Sequence, residues 1–121
     1  ENVREGLKTI LTAIEQVKNG ISVFIFPEGT RNKGEELSML PFHAGSFKIA
    51  EKSGCPIVPV ALNNTIDIFE GHFPRIKKTH VVVEYCEPIY MKEMDKENRK
   101  KIDAHCQQII QETIQKNQAL V

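Results

Sequence analysis

Residues 21–26, with the sequence ISVFIF, form a short apolar run that limits the possible fold more than any other segment. The run is rich in β-branched and aromatic side chains, a pattern typical of a strand that is buried on both faces. Asn19 and Gly20 separate it from a helical pattern, and Pro27 ends it. A strand buried on both faces needs covering layers of helices, so the run predicts a layered α/β fold.

Helical patterns alternate with two further strand patterns along the chain. Apolar residues recur at helical spacing over residues 3–17, where Asn2 is the expected N-cap, again before Gly54, and finally over residues 95–115. Residues 57–62 and 80–86 have the composition of strands, and a helical turn over residues 66–69 is expected in the loop between them. This order predicts an α/β fold with helices layered over a mostly parallel sheet. Three strands are few for two covering layers, so further strands are expected on the N-terminal side.

Composition and charge exclude several classes of function. The 121 residues include 16 basic and 16 acidic side chains, so no global field favours nucleic acid or an acidic membrane. The 3 cysteines are too few and too scattered for a disulfide framework or a zinc site, and their odd number fits a reducing compartment. No apolar run approaches the roughly 18 residues that span a bilayer. No metal site is expected, and any recognition of an anion must be local.

The sequence FPEGTR, at residues 26–31, directly follows the apolar run and carries the most informative chemical groups. Ligands in α/β proteins bind at the carboxyl ends of strands. Gly29 lets the backbone approach a ligand closely, Thr30 offers a hydroxyl, and Arg31 offers a planar fork of donors suited to a phosphate. Glu28 can accept a hydrogen bond from a substrate hydroxyl or orient Arg31. The alternative is an ordinary turn in which Glu28 and Arg31 are solvated or paired with each other.

Four segments in order resemble the motifs of the glycerolipid acyltransferases, the family of lysophosphatidic acid acyltransferase. Residues 23–31 (VFIFPEGTR) resemble the third motif, residues 40–47 (LPFHAGSF) the segment after it, residues 55–60 (CPIVPV) the fourth motif, and residues 83–89 (VEYCEPI) the strand that closes the family core. The resemblance implies that the glycerol-phosphate part of the acceptor is bound by Glu28, Gly29, Thr30 and Arg31. It also implies that Pro59 binds the acyl donor or supports the site, the alternative being an ordinary edge-strand proline.

Position 43 departs from the family pattern, because it holds histidine where lysine is common. Histidine is charged for only part of the time near neutral pH, which weakens a charge that would face a phosphate. His43 is therefore expected either to bind the substrate or to be a polar loop residue, and both interpretations stay open.

The family's general base is a histidine followed five positions later by aspartate, and this pair does not occur in the sequence. At that spacing the 4 histidines are followed by Lys48, Lys77, Tyr85 and Ile110. A hydroxyl is a poor nucleophile until a positioned base takes its proton. The resemblance thus implies that residues 1–121 are the C-terminal portion of a single acyltransferase domain, with no catalytic residue and no activity of their own.

The resemblance implies transfer of a fatty acyl group from acyl carrier protein or coenzyme A to 1-acylglycerol 3-phosphate (lysophosphatidic acid), giving phosphatidic acid. No cofactor is implied, because the thioester is a substrate. The expected partners are lysophosphatidic acid, the thioester and a membrane surface, without nucleic acid. The expected location is the cytoplasmic side of the membrane, with peripheral attachment or an anchor in an N-terminal part. Alternatives are a catalytically silent lipid-binding or regulatory module, and an acyltransferase acting on glycerol 3-phosphate or another lysophospholipid.

Residues 66–78 mix apolar side chains with the cations Arg75, Lys77 and Lys78. Such a mixture can rest on a membrane surface or line an acyl groove. A loop packed on the core, with a solvated basic end, is the favoured interpretation.

Overall fold

The computed structural model of the protein describes residues 3–29, 39–65, 73–76 and 78–121. Within these ranges the helices are α1 (Val3–Lys18), α2 (Lys48–Ser53), α3 (Lys96–Lys100) and α4 (Ile102–Asn117). The strands are β1 (Val60–Asn63) and β2 (Val82–Tyr85), and short 3-10 turns lie at Ala44–Phe47, Met91–Glu93 and Gln118–Leu120. None of the helices in the described ranges has the length and apolarity needed to cross a bilayer.

The first two helices follow the prediction from sequence. α1 spans the apolar repeat of residues 3–17, and the expected cap, Asn2, lies outside the described residues. α2 ends at Gly54, whose φ of 77° is the left-handed conformation that glycine adopts without steric cost. α1 packs against α2 and the turn before it, where the side chain of Ile10 reaches Gly45.

The two strands form an antiparallel pair in which Val60 lies opposite Tyr85 and Asn63 opposite Val82. The predicted mixed class of helices and sheet is confirmed. The sheet was expected to be mostly parallel, whereas the two described strands are antiparallel. A parallel neighbour needs a crossover that returns the chain to the start of the first strand. The described part of the connection, at 64–65, 73–76 and 78–81, contains no helix that does this. The helical turn expected at 66–69 lies outside the described residues.

The strand expected over residues 21–26 is wrong for the described structure. The run has no strand hydrogen bonds, and the rings of Phe24 and Phe26 are 62% and 69% exposed. The two rings contact each other edge to face, with centroids 5.2 Å apart. The reason is that a strand needs a neighbour, and neither β1 nor β2 pairs with this segment in the described sheet.

The helix expected over residues 95–115 is divided into α3 and α4. Asp95 caps α3, because its carboxylate accepts a 2.8 Å hydrogen bond from the N–H of Asn98. The chain leaves helical geometry at Lys101, where φ is −105° and ψ is 18°. α3 buries none of its residues, so packing does not hold it in line with α4, whose first residue, Ile102, is buried.

The core lies between α4, α2 and the segments beside them. Its buried members are Phe42, Phe47, Ala50, Met91, Ile102 and Cys106. Asn63 of β1 is fully buried and donates a 2.9 Å hydrogen bond to the C=O of Ile114. This bond fixes the sheet against the C-terminal half of α4.

Candidate functional site

The turn at residues 26–29 is the centre of the candidate site. The N–H of Gly29 donates a 3.1 Å hydrogen bond to the C=O of Phe26, which closes a four-residue turn. Pro27 holds the second position of the turn, where its fixed φ is favoured. Gly29 has a φ of 74°, in the left-handed region that disfavours a side chain. The local sequence therefore explains why the chain turns here.

Residues 39–43 lie directly against this turn and hold it by two hydrogen bonds. The N–H of His43 donates to the C=O of Pro27 over 2.8 Å. The N–H of Leu40 donates to the Oε2 atom of Glu28 over 2.7 Å. Phe42, between these two donors, is buried in the core, so the segment is anchored from below. The carboxylate of Glu28 is therefore oriented by backbone rather than left to solvent.

The Oε1 atom of Glu28 has no hydrogen-bond partner among the described residues. A carboxylate that keeps one oxygen for the protein can offer the other to a ligand donor, such as a hydroxyl or an arginine. The alternative of a fully solvated Glu28 is wrong, because Oε2 is engaged. Thr30 and Arg31 lie outside the described residues, so their predicted contribution of a hydroxyl and a phosphate fork stays a prediction.

His43 contacts the turn with its ring as well as with its backbone. A Cβ atom placed on Gly29 would lie 2.9 Å from both Cδ2 and Nε2 of His43, closer than real Cβ contacts allow. The imidazole therefore covers the bare backbone of Gly29, and it is exposed on its other side. The position puts a hydrogen-bonding ring beside Glu28 and Gly29, but does not decide between substrate binding and a polar loop role.

Gln107 on α4 is a member of this arrangement that sequence reasoning missed. Its Nε2 atom donates a 3.3 Å hydrogen bond to the C=O of Leu40, the residue whose N–H holds Glu28. The only signal in the sequence was its place next to Cys106 on the buried stripe of the last helix. A glutamine there does not reveal its partner, which lies 67 positions away.

Pro59 is buried and directly precedes β1. Its C=O accepts a 2.8 Å hydrogen bond from the N–H of Cys86, so the ladder uses the one backbone group that a proline can offer. Two residues further out, Ile57 and Ile89 exchange hydrogen bonds of 2.8 and 2.7 Å. No described hydrogen bond joins Pro59 to Glu28 or His43, so its predicted part in donor binding stays a prediction.

Metal-ligating side chains do not gather in the described part of the chain. No group of three or more His, Cys, Asp or Glu side chains stands close enough there to hold an ion. The site as described is thus a carboxylate, an imidazole and an exposed glycine backbone. These groups can bind a polar ligand by hydrogen bonds.

The protein-family model described as Acyltransferase matches residues 1–63, which include both segments of this site. The chain belongs to the acyltransferase family. The resemblance stated from the sequence motifs is therefore confirmed.

Relatives of this acyltransferase chain carry one activity in their names. It is 36% identical over 97 residues to the 1-acyl-sn-glycerol-3-phosphate acyltransferase of Salmonella typhimurium, a match that covers 80% of this chain and 38% of the relative. It is 34% identical over 95 residues to the enzyme of that name from Saccharomyces cerevisiae, covering 78% and 31%. The chain thus spans only 31% to 38% of the length of these relatives.

A solved structure supports the same grouping. The 1-acyl-sn-glycerophosphate (LPA) acyltransferase PlsC from Thermotoga maritima aligns with a TM-score of 0.76 and 27% sequence identity. The alignment covers 91% of this chain and 46% of that protein. The fold of the acyltransferase chain is therefore that of part of this enzyme.

Proposed function

We propose that this acyltransferase chain supplies the acceptor-binding part of an enzyme that acylates 1-acylglycerol 3-phosphate. The acyl group comes from a coenzyme A or acyl carrier protein thioester, and the product is phosphatidic acid. The observation that carries the proposal is the oriented Glu28 carboxylate, fixed by Leu40 beside the left-handed Gly29. The activity named for the relatives supports the proposed reaction, and the geometry of the turn supports the proposed place for the acceptor.

Each group of the site has a part in holding the acceptor. The Oε1 atom of Glu28 accepts a hydrogen bond from a glycerol hydroxyl, while Leu40 keeps Oε2 in place. The imidazole of His43 rests on the bare backbone of Gly29, and both residues are exposed beside Glu28, so the ring is proposed to meet the phosphoglycerol group at this surface. Thr30 and Arg31 follow directly in sequence and provide donors for the phosphate.

The transfer step needs a general base. The family's base is a histidine followed five positions later by aspartate, and these 121 residues do not contain that pair. In the enzyme a histidine, oriented by its aspartate, takes the proton of the acceptor hydroxyl. The oxygen then attacks the thioester carbonyl, and the thiol leaves with a proton. The role of the present site is to hold the acceptor in line for that attack, a positioning effect that contributes roughly several kcal/mol.

The acceptor and the product of this reaction are lipids, so the enzyme is proposed to work at a membrane surface, on its cytoplasmic side. Pro59 is proposed to support the part of the site that binds the acyl donor. No cofactor or metal takes part in the proposed reaction.

A short-chain 1-acylglycerol 3-phosphate, which stays monomeric in water, tests acceptor binding directly by calorimetry. Glu28→Gln removes the charge while keeping the shape, and it should weaken binding about 10-fold or more, as expected for hydrogen bonds to charged groups. The matched control is Glu87→Gln, an exposed carboxylate next to the sheet, which should bind like the original chain. Equal affinities for both variants would refute the proposal.

The chain alone is proposed to have no acyl-transfer activity. Thioester release in the presence of lysophosphatidate should stay at background for residues 1–121. It should appear when the complete open reading frame that encodes them is expressed. This part of the proposal would be overturned if residues 1–121 showed turnover and if Glu28→Ala abolished that turnover.

A catalytically silent lipid-binding or regulatory module is the second candidate. A complete open reading frame that lacks a histidine followed five positions later by aspartate would favour it. Lipid binding without turnover in the complete protein would support it. A third possibility is that the acceptor is glycerol 3-phosphate or another lysophospholipid. Calorimetry with these compounds, compared with 1-acylglycerol 3-phosphate, shows which acceptor the site binds most tightly.

A further inference from the structure

Two of the most exposed large apolar side chains of the described structure are three positions apart in the connection between β1 and β2. Phe73 is 74% exposed and Ile76 is 80% exposed. The core-packed loop favoured from the sequence is therefore wrong for these two residues. Exposed side chains of this size cost free energy in water unless another surface covers them.

Cations alternate with these apolar residues. Arg75 and Lys78 are both exposed, and no described acidic residue forms an ion pair with either of them. The sequence from Gly71 to Val83 contains no aspartate or glutamate. Since the whole chain has a formal net charge of +0, this local excess of positive charge is not part of a general basic character.

The exposed apolar segment at residues 21–26 differs in this respect. Residues 21–26 contain no cation, and Glu28 follows two positions later. An anionic partner is therefore not favoured there, and nothing in the structure shows what covers that segment. In α1 the exposed Leu7 and Leu11 have acidic as well as basic neighbours in the sequence, whereas residues 73–78 combine apolar side chains with cations alone.

We propose that Phe73, Arg75, Ile76 and Lys78, here called the interfacial patch, dock the protein on an anionic lipid bilayer. The apolar side chains enter the boundary between headgroups and acyl chains, and the cations contact lipid phosphates. Charge complementarity selects this partner, because anionic headgroups offer Arg75 and Lys78 a counter-charge and a neutral apolar surface does not. The interfacial patch is a contact that the proposed function does not include. It depends on the proposed function in one respect, namely that the substrates lie in a membrane.

Tryptophan fluorescence tests insertion without a background signal, because the chain contains no tryptophan. Phe73→Trp should shift its emission to shorter wavelength, and become shielded from an aqueous quencher, when vesicles of phosphatidylcholine and phosphatidylglycerol are added. Tyr85→Trp is the matched control, since Tyr85 is 71% exposed on β2, outside the patch. Its emission should stay unchanged. An unshifted Phe73→Trp, or an equal shift in both variants, would overturn the proposal.

Sedimentation with the same vesicles tests the charges. Arg75→Glu combined with Lys78→Glu should lower the partition coefficient between water and vesicles at least about 5-fold for each cation removed. Added salt should also lower it, because salt screens the charges. Lys96→Glu combined with Lys100→Glu, on the exposed face of α3, is the matched control and should bind normally. Equal losses in both pairs would refute docking through the patch.

The vesicles contain neither lysophosphatidate nor thioester, so binding does not depend on the transfer reaction. Glu28→Gln should leave vesicle binding intact, whereas it weakens binding of the soluble acceptor. Failure of the patch variants to change vesicle binding would therefore refute docking alone. Loss of vesicle binding in Glu28→Gln would instead show that the vesicles are held by the acceptor site, which contradicts the inference.

Discussion

The carboxylate of Glu28 and the backbone N–H of Leu40 are joined by a 2.7 Å hydrogen bond that closes 12 positions of sequence. The C=O of the same leucine accepts a 3.3 Å hydrogen bond from Gln107 on α4. Leu40 is thus held on both sides, by the candidate site through its N–H and by the last helix through its C=O. The last helix therefore contributes to the orientation of Glu28 without touching it.

Gln107→Ala removes the bond from α4 and should loosen Leu40. A neutral hydrogen bond contributes about 0.5–1.5 kcal/mol, so the affinity for a short-chain 1-acylglycerol 3-phosphate should fall about 2- to 10-fold. Calorimetry measures the change, and Gln108→Ala, the exposed neighbour on the same helix, is the control. A purely structural role for Gln107 predicts a lower melting temperature with unchanged affinity, and that result would contradict the proposed positioning.

Gly29→Ala should destabilise the turn for two separate reasons. The left-handed φ of 74° costs an alanine about 1–2 kcal/mol, and the new Cβ meets the ring of His43 at 2.9 Å. His43→Ala combined with Gly29→Ala should recover the steric part and leave the backbone part. Urea unfolding of the two single variants and the double variant gives the coupling energy. Additive effects would mean that the ring does not rest on Gly29.

Local signals in the sequence were sufficient for the features that depend on neighbouring residues. The apolar repeat predicted α1, Gly54 predicted the end of α2, and Pro27 with Gly29 allowed a turn as one of two interpretations. In each case the residue type itself restricts φ or places an apolar side chain on one face of a helix. These restrictions act within a few positions, so a single sequence contains them.

Features that depend on distant partners could not be predicted in this way. The run at 21–26 has strand composition, but a strand exists only where a neighbour pairs with it. The partner of Glu28 is a backbone N–H, a group that every residue except proline has, so no residue type marks Leu40 as the donor. The end of α3 at Lys101 likewise follows from the lack of buried residues in α3, which is decided by packing.

Cys106 should be the least reactive of the described thiols. It is 2% exposed, and burial, with a smaller effect of Asp103, raises its pKa to about 11. The thiolate is the reactive form, so a disulfide reagent at neutral pH should modify the partly exposed Cys55 and Cys86 first. In the variant Cys55→Ala with Cys86→Ala, labelling of Cys106 should follow the rate of unfolding and speed up in urea. Labelling of native Cys106 as fast as Cys55 would show that this part of the core opens without unfolding.

The pH dependence of stability should include a contribution from Glu84 of β2. The side-chain amide of Asn117 donates a 2.9 Å hydrogen bond to its carboxylate, and the ammonium of Lys116 lies 3.2 Å away. The Asn117 bond first, and then Lys116, lower the pKa of Glu84 below its ordinary value of 4.5. A carboxyl whose pKa is lower in the folded protein binds its proton more readily when the chain is unfolded.

The stabilisation is therefore complete above pH 4.5 and is lost as the pH falls through the lower pKa of the folded state. Glu84→Gln should flatten the fall of the unfolding free energy over this acidic range, whereas Glu15→Gln, an exposed carboxylate on α1, should not. Asn117→Ala should flatten it more than Lys116→Ala, because the amide bond is the larger cause and salt does not screen a neutral donor as it screens an ammonium. Chemical denaturation at a series of pH values measures all four variants, and a larger effect of Lys116→Ala would mean that the ion pair, rather than the amide, holds Glu84 ionised.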